Sequence, residues 1–171
     1  MNFNGLNNNE SLAIASNPFI ADGHDHGRCQ RKALAAAKSL CQQRGTRLTA
    51  LRQRVFELVW SSHSPVKAYD LLEQLKPDHP SAAPTSVYRA LEFLLDHALI
   101  HRLQSLNAYI GCGTPGRLHH GQFLICQRCG TVAELPDGDL RKQIGHRAGE
   151  IGFRIEIETV EISGICANCQ G

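Results

Sequence analysis

No stretch of this 171-residue chain approaches the about 18 consecutive apolar residues that a membrane-spanning helix requires. Residues 1–27 carry no lysine or arginine, and their apolar pieces, such as Leu12-Ala13-Ile14-Ala15, are brief, so the charged start and apolar middle of a secretory leader are missing. Acidic residues are missing where they matter most. From Arg28 to Arg54 there are eight basic side chains (Arg28, Arg31, Lys32, Lys38, Arg44, Arg47, Arg52, Arg54) and no acidic one. From residue 100 onward seven basic residues face seven acidic ones, so the net charge of +2 conceals a basic first half. A solvated helix face normally carries both signs; a one-sign stretch points to a polyanion, and nucleic acid is the natural partner. An even disulfide framework is also absent. Seven cysteines, an odd number with four of them in two C-x-x-C pairs, fit metal binding in a reducing cytoplasm.

Those pairs are the strongest signal present. Cys126 and Cys129 form one knuckle, with Gly130 behind it to let the backbone turn. Cys166 and Cys169 form the other, close to the last residue. Four thiolates match a closed tetrahedral structural zinc site. The 36 residues between the pairs exceed the spacing of a short zinc ribbon, so a folded unit must bring the knuckles together. Neither pair stands at the strand-to-helix turn of a βαβ pattern, which argues against a thioredoxin-like redox motif.

Along the chain, residues 1–28 are expected to form a flexible, asparagine-rich extension. His24-Asp25-His26 offers metal donors within it, beside the plainer reading of a polar tail. Ordered structure is expected from Cys29. Ala33, Leu34, Ala37, Leu40 and Cys41 recur at helical spacing up to Gly45, with Cys41 on the buried stripe. Thr49 caps a second helix with Leu51, Val55, Leu58 and Val59 inward and Arg47, Arg52 and Arg54 on its outer side. A third helix spans Lys67–Lys76, burying Ala68, Leu71, Leu72 and Leu75 before Pro77. Pro84 opens a fourth, with Val87, Ala90, Leu91, Leu94 and Leu95 buried. Its outer face carries Thr85, Ser86, Tyr88 and Arg89, a set suited to phosphates and base edges, or simply the polar side of an amphipathic helix. Leu99–Leu103 and Ala108–Cys112 follow as short strands around Ser105-Leu106-Asn107. Helices followed by a hairpin make a winged helix.

Gly113-Thr114-Pro115-Gly116 reads as a hinge. Beyond it the first knuckle is flanked by strands, Asp139–Gly149 is helical, and Arg154-Ile155-Glu156-Ile157-Glu158 alternates as a strand until the pattern slips at Thr159-Val160. The expected architecture is α+β: a winged-helix DNA-binding domain over residues 29–112, a hinge over 113–118, and a small αβ dimerisation domain with structural zinc over 119–171. The last unit is short of the size that folds comfortably alone, and zinc and a second copy would supply the missing stability.

Pro84-Thr85-Ser86-Val87-Tyr88-Arg89-Ala90-Leu91, then Leu118-His119-His120 and Cys126-x-x-Cys129-Gly130, resemble the ferric uptake regulator superfamily over about Lys38 to Cys169. The resemblance implies a homodimeric transcriptional repressor, not an enzyme, with a metal corepressor between the two domains and a palindromic, AT-rich double-stranded operator as partner. In the iron and peroxide branches a histidine precedes the first knuckle cysteine by three residues; here that residue is Phe123. Instead His101, Cys112, His119 (seven before Cys126) and Glu134 (five after Cys129) look like the regulatory ligands of the zinc uptake branch. His120 rivals His119 because neighbours on a strand face opposite ways. A thiolate among imidazoles and a carboxylate suits zinc better than iron or manganese. The expectation is about two zinc ions per subunit, one structural and one regulatory, and repression of zinc uptake genes, with no membrane and no small-molecule substrate. An iron or peroxide sensor of the same fold is the near alternative. A zinc hydrolase would need an open position for water, and a zinc store or metallochaperone would need neither recognition helix nor basic stretch.

Overall fold

The computed structural model describes residues 25–115, 121–135 and 138–170. Helix α1 (His26–Gln43) starts ahead of Cys29, because the Asp25 side chain accepts the Arg28 N–H at 2.9 Å and caps the first turn. Ala33, Ala37 and Cys41, spaced four apart, form its buried stripe. Gly45 at φ 63 ends the helix in the left-handed region that glycine enters without cost. Thr49 then caps α2 (Ala50–Val59), whose Val55, Phe56, Leu58 and Val59 enter the core. In α3 (Ala68–Leu75) Leu71 and Leu75 are fully buried. Pro84 stands in the first turn of α4 (Pro84–Asp96), which buries Val87, Ala90, Leu91 and Leu94. These four helices share one apolar core, joined by Leu99, Ile100 and Tyr109 of the following hairpin.

That hairpin pairs β1 (Ile100–Leu103) antiparallel to β2 (Ala108–Gly111), with His101 opposite Ile110 and Leu103 opposite Ala108. Asn107 makes the turn at φ 46, and a bridge from Val66 to Tyr109 ties the hairpin to the helices. A Cβ at Gly111 would lie 2.3 Å from the Trp60 ring, so no other residue fits there. This is a winged helix.

The C-terminal unit is a three-stranded sheet in the order β4-β3-β5. β3 (Gln122–Cys126) runs antiparallel to β4 (Val132–Leu135) and parallel to β5 (Val160–Gly164). A parallel neighbour requires a crossover, which α5 (Asp139–Glu150) supplies. A short turn of helix, α6 (Ala167–Gln170), follows β5.

Residues 153–159 form no strand, although Arg154–Glu158 alternates; β5 begins only at Val160, past the slip in the pattern. Alternation specifies two faces but not a partner, and within one subunit β3 reaches only from Val160 onward. Ile157 is 90% exposed as a result. On α5 no residue is fully buried: Leu140 is exposed, and Ile144 and Ala148 are half-buried. The wing and the sheet meet in a second small core, where Leu103 and Ile110 pack with Phe123, Ile125 and Val132.

Candidate metal centres and nucleic-acid interface

Cys126 ends β3, and the chain doubles back at Gly130 (φ 73), whose N–H donates to the Cys126 carbonyl at 2.9 Å. Cys166 and Cys169 are held by the matching turn, with the Cys169 N–H on the Cys166 carbonyl at 2.9 Å. The parallel pairing of β3 with β5 sets the two turns side by side. All four sulfurs lie within 4.8 Å of one another, and Cys129 Sγ is 3.7 Å from Cys166 Sγ. Sulfurs at Zn–S distances of about 2.3 Å on a tetrahedron stand about 3.8 Å apart. The donor set therefore fits a structural zinc, and no disulfide forms among the described residues.

Backbone N–H groups of Cys129, Cys166 and Arg128 aim at Cys126 Sγ and lower its thiol to about 6, against the opposing effect of burial. Hydrogen bonds from Thr131 lower Cys129 as well. The neighbouring thiol of Cys166, with burial next, pushes Cys169 up to about 12. Burial raises Cys166 as well, so the four thiols are shifted in opposite directions, an imbalance that a divalent cation would remove. The Arg128 guanidinium donates to the Cys169 carbonyl and braces one knuckle against the other.

The second constellation joins the two halves. His101 sits on β1, Cys112 directly follows β2, and Glu134 sits on β4. Their donor atoms lie within 4.8 Å of one another. His101 Nε2 is 2.9 Å from Glu134 Oε1, and Glu134 Oε2 accepts the Gly113 N–H at 3.0 Å. The His101 ring stands edge-on to Phe123, centroids 5.2 Å apart. Cys112 is fully buried. Burial, and then the Glu134 carboxylate, push its thiol up to about 12, so it can act as a soft ligand only when an incoming cation displaces its proton to solvent. One imidazole, one thiol and one carboxylate make three of the four donors of a tetrahedral zinc site. His119 and His120 lie outside the described residues.

On α4, Thr85, Tyr88 and Arg89 are exposed and Ser86 is half-buried, all clear of the buried stripe. The arginines expected on the outer side of the second helix differ among themselves. Arg47 precedes α2 and is exposed. Arg52 donates to the Arg47 carbonyl at 2.8 Å and lies 3.7 Å over the Phe93 ring, clamping α2 to α4. Arg54 is ion-paired with Asp78 at 2.8 Å and lies 3.8 Å from Glu57, which ties α2 to the end of α3.

Sequence reasoning passed over Glu161. Its carboxylate, on β5, accepts the Gln104 N–H at 2.6 Å and the Ser105 N–H at 3.0 Å at the tip of the wing. Burial opposes its ionisation, but the hydrogen bonds from Ser105 and Gln104 outweigh that and hold the carboxyl below its ordinary range. Nothing in the local pattern marks a strand glutamate as the partner of a turn more than fifty residues earlier.

A winged helix joined to a cysteine-clamped αβ sheet, with a thiol-containing donor set between them, defines a metal-dependent DNA-binding architecture. The family model for the ferric uptake regulator family matches residues 43–163, and the chain belongs to that family. It is 36% identical to the zinc uptake regulation protein of Escherichia coli K12 over 137 residues, 80% of each chain. Among solved structures it resembles a zinc uptake regulator complexed with zinc and DNA, with a TM-score of 0.78 at 35% identity, covering 82% of this chain and 95% of that one. Against holo XcZur the TM-score is 0.74 at 40% identity, covering 80% and 96%. Against apo XcZur it falls to 0.50 at 37% identity, covering 84% and 99%.

Proposed function

We propose that this chain is a zinc-responsive, sequence-specific DNA-binding repressor, with zinc as corepressor, acting as a homodimer on palindromic, AT-rich operators of zinc uptake genes. The observation that carries the reading is the donor set itself: His101 and Cys112 belong to the wing, Glu134 to the sheet, and a buried thiol stands among them. Cys126, Cys129, Cys166 and Cys169 would hold a structural zinc, and His101, Cys112, Glu134 and His119 or His120 a regulatory one, about two per subunit. A zinc ion between wing and sheet would supply a divalent, thiolate-tolerant centre whose ligands come from both halves.

The chain's own residues do the rest. His101, Cys112 and Glu134 can share one centre only when the wing lies on the sheet, so binding there selects that arrangement. Selection from 1:99 to 99:1 requires about 5.5 kcal/mol of preference, modest beside the roughly 10–16 kcal/mol of zinc in finger peptides. Two α4 helices of a dimer are thereby held at one separation, the requirement for reading half-sites a helical turn apart. Thr85 and Ser86 would meet phosphate, Tyr88 and Arg89 base edges, and Arg47 the backbone. The uncovered apolar side chains Ile151, Phe153 and Ile157, 82%, 64% and 90% exposed, supply a surface for the second copy. Support for the closed arrangement comes from the comparison pair: at similar identities the fold matches the holo form better than the apo form.

The test is a buffered zinc titration of duplex binding by the parent and by Cys112→Ser. The parent should bind a palindromic AT-rich duplex in zinc and not in ferrous iron at the same free concentration. The variant should keep its four-cysteine zinc and remain a folded dimer, yet fail to bind at zinc levels that saturate the parent. If Cys112→Ser binds at the parent's zinc midpoint, Cys112 is no ligand and the case for zinc over iron loses its main support.

A further inference from the structure

Outside both donor sets, the loop after α2 touches each half of the wing–sheet centre. Its first residue, Trp60, is the one tryptophan of the chain. The indole lies against Gly111, the last residue of β2, and Cys112 comes next. A Cβ at Gly111 would stand 2.3 Å from Trp60 Cε2, 2.5 Å from Nε1 and 2.6 Å from Cδ2, so the ring occupies the place of a side chain there. Side chains alternate along β2: Tyr109 joins the helical core and Ile110 the small core on the sheet. The same alternation turns Gly111 towards the helices and Cys112 towards Glu134. The loop also grips β2 two residues earlier, where Val66 and Tyr109 exchange backbone hydrogen bonds at 2.9 and 2.8 Å. On the sheet side, the His63 carbonyl accepts the N–H of Val132, two residues before Glu134, at 3.3 Å.

Trp60 is itself fixed. Its backbone N–H donates to the Phe56 carbonyl at 3.0 Å, and its carbonyl accepts from His26 Nε2 at 2.7 Å. The ring leans towards Phe56, centroids 6.0 Å apart. Its Nε1–H is buried and meets no acceptor among the described residues. A buried indole N–H usually finds one, so shape and not hydrogen bonding holds the ring on Gly111. Resting on the reading of His101, Cys112 and Glu134 as zinc ligands, we propose that Trp60 is a positioning residue for their centre. Its ring sets the end of β2 so that the Cys112 thiol stands within reach of the other two donors. A ligand on a strand end without such a stop is free to shift by the about 1 Å that loosens a site. Groups that orient ligands without touching the metal change its affinity by about 10–100-fold when removed. Trp60 also ends α2, so the contact ties the centre to the helical half that carries α4.

The experiment measures zinc affinity at both centres of the full chain, by competition with a chelator of known affinity. The variants are Trp60→Ala, Trp60→Phe, Gly111→Ala, Trp60→Ala/Gly111→Ala and Cys112→Ser. Trp60→Ala and Gly111→Ala should each weaken the wing–sheet zinc about tenfold or more and leave the four-cysteine zinc in place. Trp60→Phe should weaken it less, and the double variant should recover most of what Gly111→Ala loses, because the added methyl then has room. A general loss of stability would lower both zincs and would not be repaired by a second truncation. With zinc in the structural site, cobalt entering the second should quench the parent's Trp60 emission as the thiolate-to-metal band of Cys112 develops. In Gly111→Ala both signals should come only at higher cobalt. Parent affinity at this centre in Gly111→Ala, or in a folded Trp60→Ala, overturns the positioning role when Cys112→Ser loses that zinc. If Cys112→Ser keeps it, the ligand reading fails, and the positioning role falls with it.

Discussion

Arginines of similar sequence context end in different physical states in this molecule. Arg52 is spent on the Phe93 ring and the Arg47 carbonyl, and Arg54 on Asp78. Arg89 remains on the exposed face of α4, beside Tyr88, which is 51% exposed. A guanidinium bidentate to guanine discriminates by about 1–3 kcal/mol, whereas a phosphate contact weakens all sequences alike. Arg89→Ala should therefore lose about 1–3 kcal/mol on operator duplex while its weak binding to random duplex changes little, as titrations at fixed salt would report. Equal loss on both duplexes would reduce Arg89 to a phosphate contact.

Between elements, the wing is held on the sheet by protein contacts of its own. The wing packs Leu103 and Ile110 against Phe123, Ile125 and Val132, and Glu161 on β5 holds the wing tip through two backbone N–H groups. Charge-assisted bonds of this kind contribute more than neutral ones, less the screening of a half-buried site. Glu161→Gln keeps the shape and removes the charge. We expect it to favour the open form by about 1 kcal/mol, raising the free-zinc midpoint for operator binding about fivefold. The sign with pH follows from the depressed carboxyl: its contribution is complete above the ordinary carboxylate range and is lost as pH falls through the lower closed-state value. Acidification should accordingly loosen the parent's wing, seen by energy transfer between labels on wing and sheet, and should add little in Glu161→Gln. An unshifted zinc midpoint in the variant would mean that the small core alone holds the wing.

At the scale of the whole molecule, the C-terminal unit is too slight to stand alone. Its sheet has three strands, α5 has no fully buried residue, and Ile151, Phe153 and Ile157 face outward. A zinc held by the four cysteines and a second copy over the apolar surface would supply the order it lacks. Cys126→Ser leaves three thiolates and should cost both the structural zinc and the folded dimer. Metal content together with light scattering after size exclusion should show a zinc-poor, aggregating species. A zinc-depleted variant that remains a well-folded dimer would remove the clamp from its structural role.

What the chain determined by itself is what is local. Helical stripes such as Ala33-Ala37-Cys41, the Thr49 cap, Pro84 at the start of α4 and both C-x-x-C turns depend on neighbours within a few residues, so their periodicity and spacing express them directly. His101, Cys112 and Glu134 were legible only because a family resemblance stood in for distance; their approach is made by the wing folding onto the sheet. Contacts set by the fold left no local trace. Glu161 meets residues 56 and 57 positions away, and His26 meets His63 at 37. The alternation at Arg154–Glu158 announced a strand that does not form within the subunit, because a strand exists only where another offers it hydrogen bonds, and that is a property of the assembled sheet.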